Sequence, residues 1–328
     1  MGSLGDVKAT RDELNQSPPL PSLKLNDGNF IPMLAYGMGT ANFKTSSEPI
    51  DHVIVEAAKN AIQAGFQHLD GAEGIVALAF DSCPANIFLV YGNEIEIGLA
   101  IKTSGVPREE LYVATKLWDM TNPKASFELS LRRLGLKFVD LYLIHAPFNA
   151  RSDVELQYAW AHMEELKLSG RVRSIGVSNF KLSHLRAILK TATVPPAINQ
   201  IEYHPYIQDD YLLRFHKQHN IAIAAYGCLL PLTQEADDSM VGVWQDLAQN
   251  HEVTISDIGL RWSVEQGLIT ITTTSKPKRM EIILRNVPGF QLTKDDMTKI
   301  AKAGEGHRQR GFWIDNFGEL EEPEEATI

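Results

Sequence analysis

The sequence predicts an α/β fold, a (β/α)8 TIM barrel with an N-terminal β-hairpin and a C-terminal extension. Three observations predict it. Eight short apolar or β-branched runs alternate with longer amphipathic stretches. Several of the runs are apolar on both faces, as strands of a parallel sheet covered by helices must be. The connections between them are short, which suits a closed barrel better than an open doubly wound sheet. No G-x-G-x-x-G dinucleotide fingerprint follows the first run, where Gly37-Met38-Gly39-Thr40 stands instead.

Taken in order, residues 1–20 are polar and tipped by Pro18 and Pro19, and they predict a flexible leader. Residues 21–328 predict a single barrel domain. Short extended runs at 23–25 and 29–31 flank Asp27-Gly28, a hairpin signal. The eight strands then fall at 33–37, 66–70, 111–117, 139–145, 174–178, 197–203, 221–226 and 268–273. Helical patterns lie between them at 49–64, 94–103, 123–134, 154–168, 181–191, 209–218 and 241–265, with another at 278–285 after the eighth strand. A last helix runs from about 293 to 304, with Thr293 as its N-cap and Asp295 and Asp296 in its first turn.

With 328 residues, 44% of them apolar, the chain can bury a sizeable core. Its 31 basic and 41 acidic residues give a net charge of −10, with no basic stripe. That excludes nucleic acid as an expected partner and mainly implies solubility. The two cysteines, Cys83 and Cys228, make neither a disulfide framework nor a Cys-rich zinc site, and they read as cytosolic thiols. The first residues lack an apolar signal core, and no window approaches ~18 apolar residues. The expectation is a cytoplasmic protein with no membrane partner.

A barrel of this kind carries its chemistry at the C-terminal ends of its strands. Those ends hold Asp70, Lys116, His145, Ser178 and Asn179, Gln200, Tyr226, and Thr273 with Thr274. Each alone reads as readily as a packing or rim residue; their convergence on one mouth carries the argument. Only His145 and Asp70 among them suit a metal, too few for a metal-dependent hydrolase, so no metal site is expected.

Several segments are more specific: GFQHLD with YGNE, LYVATKLW, VDLYLIHAPF, GRVRSIGVSNF and AINQIEYHP. In this order, from Leu23 to about Trp313, they resemble the aldo-keto reductase family. The resemblance implies a barrel that reduces carbonyls with a nicotinamide cofactor and no metal. It implies a catalytic tetrad of Asp70, Tyr91, Lys116 and His145. Hydride delivery to a carbonyl carbon leaves charge on oxygen, so an acid must sit near that oxygen. A phenol with a pKa near 10 is a poor donor at neutral pH, and an ammonium beside it lowers that pKa. Asp70 would hold Lys116 charged, and His145 would orient the carbonyl.

The resemblance also implies cofactor contacts. Ser178, Asn179 and Gln200 would take the carboxamide, and Tyr226 would stack on the nicotinamide ring. Gly227, where the family commonly has serine, would leave room for the pyrophosphate, with Leu229 in the same loop. At the adenine end Thr273 replaces the family's lysine, Thr274 fills the serine slot, and Arg279 keeps its place. An arginine at a 2′-phosphate implies NADPH; the lost lysine leaves NADH possible. The spellings His-Ala-Pro-Phe at 145–148 and Thr-Thr-Thr-Ser-Lys-Pro at 272–277, with the C-terminal GHRQRGFWIDNFGE, resemble a fungal branch of α-keto amide, conjugated polyketone and ketopantoyl lactone reductases. They imply activated 1,2-dicarbonyl substrates: keto lactones, keto amides and diketones. Ala146 would open the pocket, and Trp118, Phe148 and Trp313 would wall it. A monomer or weak dimer is expected. The alternatives are a cofactor-binding regulatory protein, like the family's channel-associated β subunits, and a general aldehyde reductase.

One feature departs from the family. The family pattern is Asp-x-Ala-x-x-Tyr, but residues 74–89 separate Asp70 from Tyr91; without them the text reads DGAEVYGNEIEIG. The extra piece, GIVALAFDSCPANIFL, has no helical periodicity and one charged residue, Asp81. It reads either as a substrate-binding loop or as an in-frame translated intron. Its oiliness favours the intron, since an apolar loop at the mouth invites association.

Overall fold

The computed structural model describes residues 21–39, 50–73, 92–207, 210–233, 238–307 and 309–317. The leader at 1–20, the extra piece at 74–89 and Tyr91 lie outside the described residues.

The hairpin forms as expected. β1 (Ser22–Lys24) pairs antiparallel with β2 (Phe30–Pro32) around the Asp27-Gly28 turn, where Gly28 takes a φ of 87°. Eight further strands close a parallel barrel: β3 (Leu34–Gly37), β4 (His68–Asp70), β5 (Tyr112–Leu117), β6 (Val139–Ile144), β7 (Val172–Ser178), β8 (Ile198–Glu202), β9 (Ala222–Tyr226) and β10 (Ile269–Thr272). They pair in chain order, and β10 returns to β3. Each begins or ends within two residues of the span its apolar run predicts.

The helices start where the sequence supplies caps. α1 (His52–Ala64) opens on Asp51, whose carboxylate accepts from the amides of Val53 and Ile54, an arrangement worth about 1 kcal/mol. α2 (Glu94–Ser104), α3 (Pro123–Leu134), α4 (Asp153–Leu168), α5 (Leu182–Leu189) and α6 (Asp210–Gln218) follow between strands. The single helix expected over 241–265 is instead two, α7 (Asp238–Asn250) and α8 (Ile255–Glu265). Glu252 turns left-handed at φ 56°, and Thr254 starts α8 with a reciprocal cap to Asp257. Those bonds satisfy the first amides of a new helix better than a continuous one would. α9 (Pro277–Gly289) and α10 (Lys294–Gly304) complete the shell, and Thr293 caps α10 as expected. A short α11 (Ile314–Phe317) ends the described chain.

The alternation of a strand sends successive side chains to opposite faces. Val113, Leu117, Tyr142, Ile144 and Ile201 face outward into the large core beneath the helices. Tyr112, Ala114, Leu141, Leu143, Ile198, Ala224, Ile269 and Ile271 face inward, and Leu25 and Ile31 of the hairpin segment pack with them. The hairpin is fixed at the N-terminal ends of the strands: Asn26 Nδ2 donates to the Pro196 carbonyl at 2.8 Å, and Lys167 Nζ meets Asp27 Oδ2 at 2.6 Å. Continuing the inward register to the other end reaches Asp70, Lys116, His145, Ser178, Gln200, Glu202 and Tyr226. The fold therefore delivers a ring of polar groups to the open mouth.

Candidate active site

Lys116 and Asp70 form the centre of that ring. Lys116 has no exposed surface and Asp70 is 3% exposed. The lysine Nζ donates to Asp70 Oδ2 at 2.8 Å and to the Gly71 carbonyl at 2.9 Å. The other Asp70 oxygen, Oδ1, accepts from Gln200 Nε2 at 3.0 Å. Burial pulls the Lys116 ammonium below its usual range, and the charge of Asp70 opposes that shift.

His145 caps β6. Its amide donates to the Leu117 carbonyl at 2.9 Å, which ties it to the end of β5. Burial first, then the positive charge of Lys116, holds its imidazole pKa well below the ordinary value. The ring is therefore neutral at physiological pH and can offer an N–H without protonating what it meets.

Asn179 links four strand ends. Its amide Nδ2 donates to the His145 carbonyl at 2.9 Å and to Ser178 Oγ at 3.1 Å. Its Oδ1 accepts from the Tyr226 hydroxyl at 2.6 Å, and its backbone N–H donates to the Gln200 carbonyl at 2.9 Å. Ser178 Oγ donates to the same Gln200 carbonyl at 2.9 Å. Asn179 adopts a φ of 61°, a left-handed conformation that asparagine tolerates better than most residues.

A pocket of about 600 Å3 opens above these groups. Asp70, His145, Ser178, Asn179, Gln200, Tyr226, Gly227 and Thr273 line it, with Gly37, Gly39, Ile271, Thr272, Phe312 and Trp313. Trp118 and Phe148 stand behind Trp313: the Trp118 ring stacks on it at 6.2 Å and Phe148 leans on it at 5.4 Å. Trp118 and Trp313 both meet the His145 ring edge to face, at 5.6 and 6.0 Å.

Of the adenine-end residues, Thr273 lines the pocket, while Thr274 and Arg279 lie apart from the lining. The Thr274 hydroxyl accepts from the Lys276 amide at 3.2 Å, and Arg279 is exposed in the first turn of α9. Leu229 leads into the turn Leu230–Leu232 and packs on the outer core. Gly227, at φ 72°, is approached by the Phe312 ring: a Cβ there would sit 3.1 Å from it.

Reading strand ends alone missed three residues. Glu73 is buried and accepts from the Trp118 amide at 2.9 Å; burial raises its carboxyl pKa. Glu202 and Phe312 were also passed over, although Glu202 shares the inward register of Gln200 and could have been found by it.

The mouth fits a nicotinamide. Hydroxyl and amide groups of Ser178, Asn179 and Gln200 stand side by side at the ends of two strands, and the half-buried Tyr226 lines the same pocket. Among the described residues, no group of three His, Cys, Asp or Glu side chains could hold a metal ion. No helix among them is long and apolar enough to cross a membrane.

Comparison with known proteins agrees with this geometry. The model of the aldo/keto reductase family matches residues 35–305. An NAD/NADP-dependent indole-3-acetaldehyde reductase of Schizosaccharomyces pombe is 37% identical over 289 residues, covering 87% of this chain and 96% of the relative. An NADPH-dependent α-keto amide reductase of Saccharomyces cerevisiae is 32% identical over 311 residues, covering 90% and 94%. The crystal structure of an aldo/keto reductase from Brucella melitensis superposes with a TM-score of 0.72 at 34% identity, covering 87% of this chain and all of that one. With the match extending over the whole barrel, the chain belongs to the aldo/keto reductase family and is an NAD(P)H-dependent oxidoreductase acting on carbonyl groups.

Proposed function

We propose that the chain is an NADPH-preferring carbonyl reductase of activated 1,2-dicarbonyls, with Tyr91 as the general acid. The observation that carries this reading is the buried Lys116–Asp70 pair at 2.8 Å beside a neutral His145 at the mouth.

When bound, the nicotinamide supplies the hydride. The remaining work belongs to the chain. Ser178, Asn179 and Gln200 hold the carboxamide and so select the face presented to the substrate, and Tyr226 supports the ring. His145 donates to the substrate's carbonyl oxygen without charge of its own. Tyr91 gives its proton to that oxygen as charge develops there. Lys116 lowers the cost of the resulting phenolate, and Asp70 keeps Lys116 in place. An adjacent electron-withdrawing carbonyl makes the reacting carbon easier to attack. Ala146, small where the family commonly has tryptophan, and the aromatic wall Trp313, backed by Trp118 and Phe148, suit a flat cyclic dicarbonyl.

A panel of ketopantoyl lactone, isatin, an α-keto amide and simple aldehydes with NADPH and NADH tests the reading. Higher kcat/KM for simple aldehydes than for every dicarbonyl defeats the substrate class. Aldehyde reduction is then the second reading, favoured by the name of the S. pombe relative. Residues 74–89 are proposed as extra to the working domain. A peptide or a transcript read across Glu73 to Tyr91 tells whether the mature protein carries them.

A further inference from the structure

We infer that Glu202 is a positioning residue: its carboxylate latches the segment 310–313 onto the end of β8 and so seats Phe312 and Trp313 as walls of the substrate pocket. The inference rests on the reductase reading for its kinetic consequences, but not for the latch itself.

Glu202 sits at the mouth end of β8, two residues beyond Gln200 and on the same inward face, with its side chain fully enclosed. A carboxylate in such a place must be matched by donors. Oε1 accepts from the Gly311 amide at 2.6 Å and meets His204 Nε2 at 3.0 Å. Oε2 accepts from the Phe312 amide at 3.3 Å and meets Arg310 Nη1 at 3.4 Å. Three of these four partners come from the C-terminal segment. Seating the segment and satisfying the buried charge are therefore one event.

The consequence is felt two residues along. The Phe312 ring stands edge-on to Tyr226 at 5.3 Å and fills the space beside Gly227. Trp313 follows at φ 56°, a left-handed bend that costs about 1 kcal/mol or more for a residue of its size. Contacts on both sides offset that cost. The Glu202 bonds hold the chain before it. After it, the amides of Asn316 and Phe317 both donate to the Trp313 carbonyl at 3.0 Å. Lys181 Nζ donates to the Phe317 carbonyl at 3.1 Å, and the Arg310 guanidinium covers the Phe317 ring at 4.0 Å. The bend is what carries the Trp313 ring across the mouth to Trp118 and His145. Glu202 acts through the backbone that bears both rings, by its bonds to the Gly311 and Phe312 amides.

The test uses the full chain and Glu202→Gln, which keeps the shape but replaces a charged acceptor with a neutral amide. Hydrogen exchange at the amides of 311 and 312 is expected to quicken about tenfold, because charge-assisted bonds are roughly twice as strong as neutral ones. KM for the dicarbonyl is expected to rise about tenfold with kcat within about threefold, since the lost wall binds substrate and reacting groups alike. Trp313→Ala alone should raise KM by a similar factor, and adding Glu202→Gln to it should change KM by less than about twofold. Unchanged exchange at 311 and 312, KM losses that multiply in the double variant, or a fall in kcat at constant KM each overturn the inference. If Glu202→Gln does not fold, Arg310→Met reads the same latch from the segment's side. An exchange increase at 311 and 312 supports the latch, and no increase overturns it. Exchange is measured without substrate, so it decides the latch even if the parent protein turns over no carbonyl, a result that would instead defeat the reductase reading.

Discussion

Replacing Lys116 with methionine separates the chemical role of the buried cation from its structural one. Methionine fills the volume of the stem but removes the charge and the hydrogen bonds to Asp70 at 2.8 Å and to the Gly71 carbonyl at 2.9 Å. Asp70, 3% exposed, then keeps Gln200 Nε2 at 3.0 Å as its side-chain donor among the described residues. Stranding one charge of a buried pair costs about 3–5 kcal/mol. In a domain of this size that lowers Tm by roughly 10 °C. Adding Asp70→Asn removes the stranded charge, so most of the lost stability should return.

Activity should behave differently. If the ammonium tunes the Tyr91 phenol, its loss takes about 10²–10⁴-fold from kcat. The second substitution cannot restore this, because the cation is still missing. The measurement is a pair of curves for each variant: thermal unfolding, and steady-state oxidation of NADPH with a dicarbonyl well below the variant's Tm. The expected pattern is a stable, inactive double variant. A single variant with kcat within about tenfold of the parent refutes the reasoning. So does a double variant whose kcat recovers together with its Tm.

Three further outcomes follow from the same geometry. Asn179→Ala should cost about 3 kcal/mol by denaturant titration, about 1 for the left-handed backbone and the rest for lost hydrogen bonds, while Asn179→Gly should cost about 1 less; equal losses would show that the backbone conformation is not under strain. His68 and His145 are both buried, and burial depresses both pKa values. As pH falls below their ordinary value of 6.5, the unfolded chain takes up protons that the folded chain refuses. Stability should therefore fall with pH below that point, by up to about 1.4 kcal/mol per unit for each histidine, and His145→Gln should flatten the slope; a slope unchanged in that variant would contradict the assignment. Arg279→Ala should weaken NADPH about 10-fold or more and leave NADH nearly unaffected, as binding titrations would read; equal losses for both would remove Arg279 from the 2′-phosphate.

The barrel and half of the candidate site were legible because both follow from a period of two. A strand apolar on both faces announces burial, and the last inward residue of such a strand has nowhere to point but the mouth. Asp70, Lys116, His145 and Gln200 were found that way. The break between α7 and α8 was not, because the apolar pattern runs on through Val253 while Thr254 and Asp257 satisfy the new helix end. Glu202 was on the right face, but three of its four partners lie 108 to 110 positions away in sequence. No local pattern encodes which carboxylate a distant backbone amide will meet; that is decided by where the chain runs after α10.

Asn179 shows how far the requirements of one position can narrow its identity. The backbone there is left-handed, which strongly disfavours β-branched and bulky side chains. The side chain must donate to the His145 carbonyl and accept from the Tyr226 hydroxyl at once. Glycine satisfies the backbone and makes neither bond. Aspartate tolerates the backbone and accepts, but as a carboxylate it would set charge against the His145 carbonyl. Asparagine meets all three demands, where glycine and aspartate each fail at least one. Through it, the residue argued to orient the substrate and the ring argued to support the nicotinamide share one amide group. Two hydrogen bonds through one side chain therefore tie the Tyr226 hydroxyl to the His145 backbone, strand end to strand end.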